Sequence, residues 1–249
     1  IMAKSGGFLS VFSSVFSHIA SLRTPVEIPF PSYEIVEWND VETNNSVRRA
    51  LSRGRLTCLL GQYDGKPRFI DLAEAGQIFV SSPPRSGKTN LITQIIATIL
   101  LGHPLAKKEI DFIFIDITRD LSLLRPLGKY TPDMVEARKI LSKLGDEVDR
   151  RNALREKYRL GGGYWYEIPL AERPKMTVLV IDEAIQVIEE GGAALKALWS
   201  KLINTGHKNG ILIITTVLYN RGDLIPTEFF ALMYAKIAGY MGTDQALTN

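Results

Sequence analysis

The chain has 249 residues, and its 30 Lys and Arg against 27 Asp and Glu leave a net charge of +3. Hydrophobic residues at 45% and charged residues at 23% match ordinary globular usage, which excludes a disordered tail, a collagen-like fibre and a low-complexity linker. A single cysteine, Cys58, excludes an intramolecular disulfide and a cysteine-cluster zinc site, and the small net charge argues against coating nucleic acid by bulk electrostatics.

No stretch reaches the roughly 20 apolar residues that a membrane helix needs. Residues 8–22 come nearest: Phe8, Val11, Phe12, Val15, Phe16 and Ile19 recur every three or four positions. This spacing predicts an amphipathic helix that docks on its own domain or on a neighbouring subunit. Residues 25–47 carry five acids, no base and three prolines, which reads as a linker with a short strand near residues 33–38. The charge then reverses. Arg48, Arg49, Arg53 and Arg55 cluster on a short helix, either as a solvated face or as a phosphate contact. A boundary is expected near residue 55, with an N-terminal appendage before it and one domain over residues 56–249.

From residue 56 the pattern alternates. Apolar runs at 57–60, 77–81, 111–115, 177–181 and 211–215 predict strands. Helical patterns intervene at 87–101, 132–158 and 192–202. Strands separated by helices predict a three-layer α/β core on a mainly parallel sheet. The runs IFV, FIFI, VLVI and ILII are continuous, as strands covered on both faces should be. Thr131, Pro132 and Asp133 form a helix start with a capping hydroxyl, a fixed φ and an acid at the positive end of the dipole.

The segment FVSSPPRSGKTN, residues 79–90, follows an apolar run and opens a helical one. It ends as a P-loop does. Such a loop turns backbone N–H groups and a helix start toward phosphate oxygens. Ser82, Arg85, Ser86, Gly87, Lys88, Thr89 and Asn90 are the candidate nucleotide-binding residues. Lys88 brings charge to the β- and γ-phosphates, and the Thr89 hydroxyl is a magnesium ligand. Position 82 is serine where the pattern has its first glycine, so Ser82 is expected to adopt a glycine-like backbone at a cost of about 1 kcal/mol.

MTVLVIDEA, residues 176–184, carries Asp182 and Glu183 to the C-terminal end of a buried strand, where ligands bind in parallel α/β sheets. Asp182 there suits the magnesium shell, and Glu183 suits activation of the attacking water. The following strand ends at Thr216, a candidate for sensing the γ-phosphate. His18, His103 and His207 have no metal-ligand spacing, so magnesium carried with ATP is the one metal expected and a structural zinc is not.

With these motifs in order, residues 56–245 resemble the FtsK/HerA superfamily of DNA-pumping P-loop ATPases. The likeness rests on the Gly65-Lys66-Pro67 hairpin, the Asp71-Leu72-Ala73 element and the P-loop. It continues through DFIFIDITRDL, the paired arginines of LGDEVDRRNAL and the Ile225-Pro226-Thr227 turn before a final strand. The family often carries Ile-Asp-Pro-Lys where this chain has residues 115–118, Ile-Asp-Ile-Thr, and its best-known members place glutamine at Thr216. The resemblance implies a RecA-like core and an ATP-driven ring, hexameric by analogy, that moves double-stranded DNA in the cytoplasm. The compact form looks most like viral or mobile-element versions that package or transfer DNA. A capsid or membrane partner would engage residues 1–55.

The resemblance also implies an arginine that reaches a neighbour's γ-phosphate. Ala137, Leu141, Leu144 and Val148 form the apolar stripe of the long helix. At about 100° per residue, Arg151 falls near that stripe and Arg150 opposite it. Arg150 is therefore preferred, Arg151 retained, and Arg221 a further candidate. Gly161 to Tyr166, after Arg155, Lys157 and Arg159, reads as a mobile pore loop with stacking aromatics or as a hairpin tucked onto the surface. Lys201, His207 and Lys208 offer a second basic surface. Alternative functions are an initiator or helicase-loader ATPase, or a nucleotide-gated adaptor with little turnover.

Overall fold

A computed structural model describes residues 44–63, 66–103, 106–218 and 233–238. The helix expected at 8–22, the linker before residue 44, Arg221 and the 225–227 turn lie outside the described residues. The first element, α1 (Asn45–Leu51), is capped by the Asn44 side chain, which accepts from the amides of Ser46 and Val47. Val47 and Leu51 pack on Leu59, with Phe69 and Leu101 beside them, while Arg48 and Arg49 stay exposed. A boundary at residue 55 thus falls between α1 and the hairpin it packs on.

That hairpin pairs β1 (Thr57–Tyr63) with β2 (Lys66–Asp71) antiparallel. Asp71 closes it by accepting from the amides of Arg55, Leu56 and Ala73, the last of these capping the one-turn α2 (Leu72–Ala75). The main chain then alternates: β3 (Gln77–Ser81), α3 (Lys88–Gly102), α4 (Ala106–Glu109), β4 (Ile110–Asp116), a 3₁₀ turn at Ser122–Leu127, and β5 (Lys129–Thr131). Next come α5 (Met134–Lys157), β6 (Met176–Asp182), α6 (Ala184–Thr205), β7 (Ile211–Val217) and β8 (Ala235–Ala238).

Among the described residues, six strands form one sheet in the order β5-β4-β6-β7-β3-β8, and every adjacent pair is parallel. Successive side chains of a strand point to opposite faces. Accordingly Val178 and Val180 join α3, the hairpin and Phe112 in one core, while Leu179 and Ile181 join α5 and α6 in the other. This is the three-layer arrangement that the continuous apolar runs require. The order puts β7 between the P-loop strand β3 and the carboxylate strand β6, so residues at the tip of β7 lie between the two motifs.

Three local expectations change. The cap of α5 is Asp133, whose side chain accepts from the Glu136 amide at 2.8 Å; Thr131 ends β5, and its hydroxyl accepts from the Asp133 amide at 3.1 Å. With φ of Pro132 fixed, the aspartate is the residue placed to cap. Strand β5 is only three residues long, too short to give a periodic signal. Finally, α6 begins directly after Glu183, not at residue 192. Gly192, at φ 67 and ψ −163, forms a kink inside it, a conformation open to glycine.

Candidate functional site

Strand β3 is buried along its whole length and delivers the chain to the P-loop at the C-terminal edge of the sheet. The Ser82 amide donates to Val217 O at 3.2 Å, so the loop starts anchored to β7. Ser82 is not in the positive-φ region; Arg85, at φ 61, and Gly87, at φ 91, take the left-handed conformations. The expected penalty at Ser82 therefore does not arise, because the turn is made three residues later. Ser86 Oγ donates to Pro83 O at 2.6 Å, which leaves Ser82 Oγ to donate to Ser86 Oγ at 2.5 Å. The serine in the glycine position thus braces the loop.

Gly87 begins α3 without a side-chain cap. The amides of the first turn, at Lys88, Thr89 and Asn90, have no carbonyl one turn back and carry the positive end of a 15-residue helix. Such a start takes an anion. Lys88 Nζ donates to Ser82 O at 2.9 Å and Pro83 O at 3.2 Å and lies 3.8 Å from a Glu183 carboxylate oxygen. The two prolines, which lack N–H groups, leave donation to residues 85–90, and the Pro83 carbonyl helps hold the lysine.

Across a cleft of about 900 Å³ stand Asp182 and Glu183, with Arg119, Asp120, Leu121 and Leu123 at its far wall. Strand β6 ends at Asp182, which is buried and has both carboxylate oxygens engaged. Thr216 Oγ1 donates to Oδ1 at 2.5 Å, and Thr118 Oγ1 donates to Oδ2 at 2.8 Å. Burial holds the Asp182 carboxyl above its ordinary range, with Asp116 and Asp120 adding to the effect and the two threonine hydroxyls opposing it. Glu183 is raised by burial and then by Asp182, against Lys88. Its backbone sits at φ 51, which directs the carboxylate off the strand axis at the start of α6. Two crowded carboxylates and the half-buried Thr89 hydroxyl face a helix start that takes anions. That donor set fits a hard divalent cation carried with a polyphosphate.

Thr216 is fully buried. Its hydroxyl accepts from the Glu183 amide at 3.0 Å while it donates to Asp182. It therefore stands behind Asp182, fixing that carboxylate and the Glu183 backbone, instead of facing the cleft as the γ-phosphate sensor expected from sequence. A threonine at the tip of β7 reaches the end of the adjacent strand and no further; glutamine is longer. Thr118 was not singled out from the sequence. The signal was present in its place two residues past Asp116, at the end of the second core strand.

The paired arginines separate. Arg150 is exposed and held bidentately by Glu147, with both contacts at 2.7 Å. Arg151 is 3% exposed. It donates to Asn209 O at 2.7 Å, Gly210 O at 3.2 Å, Thr177 Oγ1 at 3.2 Å and Glu147 Oε1 at 2.6 Å. Arg151 is thus removed as a catalytic candidate, because its guanidinium is spent tying α5 to the loop before β7.

The glycine–aromatic segment is tucked onto the surface, as a turn that leads into a 3₁₀ helix at Trp165–Glu167, and is not an open pore loop. Trp165 is buried, where a Cβ on Gly210 would strike its ring. Tyr164 and Tyr166 stack at 5.3 Å, and the Arg55 guanidinium lies 3.5 Å from the centre of the Tyr166 ring. Arg155 donates to the carbonyls of Gly161 and Gly163. The second basic surface is weaker than its composition suggests. Lys201 pairs with Asp149, and burial, Lys208 and Arg155 lower the His207 pKa.

No protein-family model matches the chain. The DNA translocase FtsK of Haemophilus influenzae is 24% identical over 86% of this chain and 46% of its own. Among solved structures, the pCW3 conjugation coupling protein TcpA, in its monomer form with ATPγS, superposes with a TM-score of 0.69 at 18% identity, covering 80% of this chain and 58% of that one. The cytoplasmic domain of EssC gives 0.65 at 15%, covering 77% and 38%. The chain spans about half the length of the relatives it matches first.

Proposed function

We propose that the chain is a P-loop ATPase of the FtsK/HerA superfamily and that it hydrolyses ATP to drive movement along double-stranded DNA. The observation that carries the catalytic part is the convergence on one cleft of the α3 start, Lys88 and the Asp182–Glu183 pair. The phosphates of ATP bind the amides of residues 85–90. Thr89 and Asp182 would hold magnesium, which when bound neutralises phosphate charge. Glu183 accepts a proton from water as the water oxygen bonds to the γ-phosphorus. The bond from that phosphorus to the β,γ-bridging oxygen breaks, releasing ADP and phosphate. A carboxylate raised by burial suits this base role. Lys88 donates to the transferred group. Thr216 and Thr118 keep Asp182 oriented, which is a positioning role.

The sequence match to a DNA translocase supports DNA as the track. A grip on backbone phosphates would give weak sequence preference and strong salt dependence. We assign the trans arginine to Arg150, working between subunits of a ring, hexameric in this reading. Residues 1–55 serve as an appendage for a capsid or membrane partner, in a cytoplasmic motor for genome packaging or DNA transfer. Glu183→Gln tests the enzyme: turnover should fall about 10²-fold or more while ATP still binds. Absence of turnover in the parent, with or without DNA, leaves the adaptor. A triplex-displacement assay tests movement, since a translocase strips a third strand from duplex DNA and a loader does not.

A further inference from the structure

The far wall of the cleft holds an arginine that the catalytic scheme leaves unused. Arg119 is exposed, lines the cleft and sits at φ 68, a conformation that non-glycine residues rarely adopt. The fold over-determines it. The Arg119 amide donates to Asp116 O at 3.3 Å. The fully buried Asp116 carboxylate accepts from the amides of Asp120 at 3.1 Å and Leu121 at 2.9 Å, and from Tyr130 OH at 2.7 Å. These bonds lock residues 117–121 into a turn that a flexible loop would not keep. Strained backbone held in place at a cleft motivates a functional reading. Among the described residues the Arg119 side chain makes no hydrogen bond or ion pair, in contrast to Arg150, Arg151 and Arg155.

Its position along the cleft follows from its neighbour. Thr118 touches Asp182, so the Arg119 backbone adjoins the carboxylate end of the cleft that Lys88 also lines. Lys88 serves the phosphates from the P-loop; apart from Arg119, the charged residues that line the cleft after β4 and β6 are the acids Asp120, Asp182 and Glu183. We propose that Arg119 binds the γ-phosphate of ATP from within the same subunit, donating to its oxygens through the planar guanidinium fork. This makes the wall after β4 a sensor of triphosphate against diphosphate, and it rests on the ATP reading above.

Glycine is at ease at φ 68, so Arg119→Gly in the full chain removes the fork without straining the turn. Calorimetric titration of parent and variant with ATPγS and with ADP, both with magnesium, reads the result. ATPγS affinity should fall about 10-fold or more, ADP affinity by less than about 3-fold, and the Tm should stay at or above the parent's. Arg119→Lys should recover part of the loss. An unchanged ATPγS:ADP ratio, or equal weakening of both ligands, overturns the proposal. A Lys88→Ala variant that still loses both ligands leaves the ATP site standing when Arg119 fails. A parent that binds neither nucleotide overturns both readings.

Discussion

The two ends of strand β6 use the same residue types for opposite ends. At its start, Thr177 accepts from Arg151, whose guanidinium also meets Glu147 and two carbonyls. Charge there is matched and the donors are satisfied. At its finish, Asp182 lies with Glu183, Asp116 and Asp120, and Lys88 stands 3.8 Å from Glu183. Three of the four described non-glycine residues at positive φ, namely Arg85, Arg119 and Glu183, line this second end. A matched cluster holds elements together. A crowded and strained one stores unfavourable interactions that a cation and nucleotide would relieve on the proposed reading. Stability and binding thus separate along a single seven-residue strand.

The strongest challenge to this division is Arg151→Ala. Removing one partner of a buried, paired charge should cost about 3–5 kcal/mol of folding stability, read from urea unfolding, with nucleotide affinity unchanged in the folded protein. A variant that stays stable but loses nucleotide would return Arg151 to the site. Next is Thr216→Val, which keeps the shape and removes the donor to Asp182 and the acceptor for the Glu183 amide. It should cost about 1–3 kcal/mol and also weaken magnesium-dependent nucleotide binding, with Thr216→Ser restoring both. Loss of stability alone would confine Thr216 to packing.

The smallest effect is one of sign with pH. Asp182 and Glu183 sit above their ordinary values, so the native state holds their protons more tightly than the unfolded chain. Their favourable contribution to ligand-free stability is complete at low pH and is lost as pH rises through the folded values. Glu147 is held below its ordinary value by hydrogen bonding from Arg150, and Arg151 adds to this. Its contribution is present above the ordinary carboxylate range and is lost as pH falls through the lowered value. Urea midpoints across the acid range should show Glu183→Gln flattening the upper slope and Glu147→Gln flattening the lower. The same change of slope in both variants would contradict the comparison.

Residues whose roles follow from neighbours in the chain were legible early. The Gly87-Lys88-Thr89 run had to open a helix after a buried strand, and Asp182-Glu183 had to end one. The continuous apolar runs had to be strands covered on both faces, because alternate residues such as Leu179 and Val180 enter different cores. At the long helix, 3.6-residue periodicity alone separated Arg150 from Arg151.

What sequence could not supply were contacts that depend on register between strands distant in the chain. The pairing of Asp116 with Asp182, and of Ile181 with Thr215, brings Thr118 and Thr216 onto one carboxylate across sequence separations of 64 and 34 residues. Local pattern had left Thr216 free to face the cleft; register turned it behind Asp182. The same holds for the left-handed turn at Arg119, which is fixed by a buried aspartate and a tyrosine on the edge strand. Backbone periodicity is a short-range property written in the sequence. The direction of a short polar side chain at a strand end is decided by which strand lies beside it, and that is settled only when the sheet is assembled.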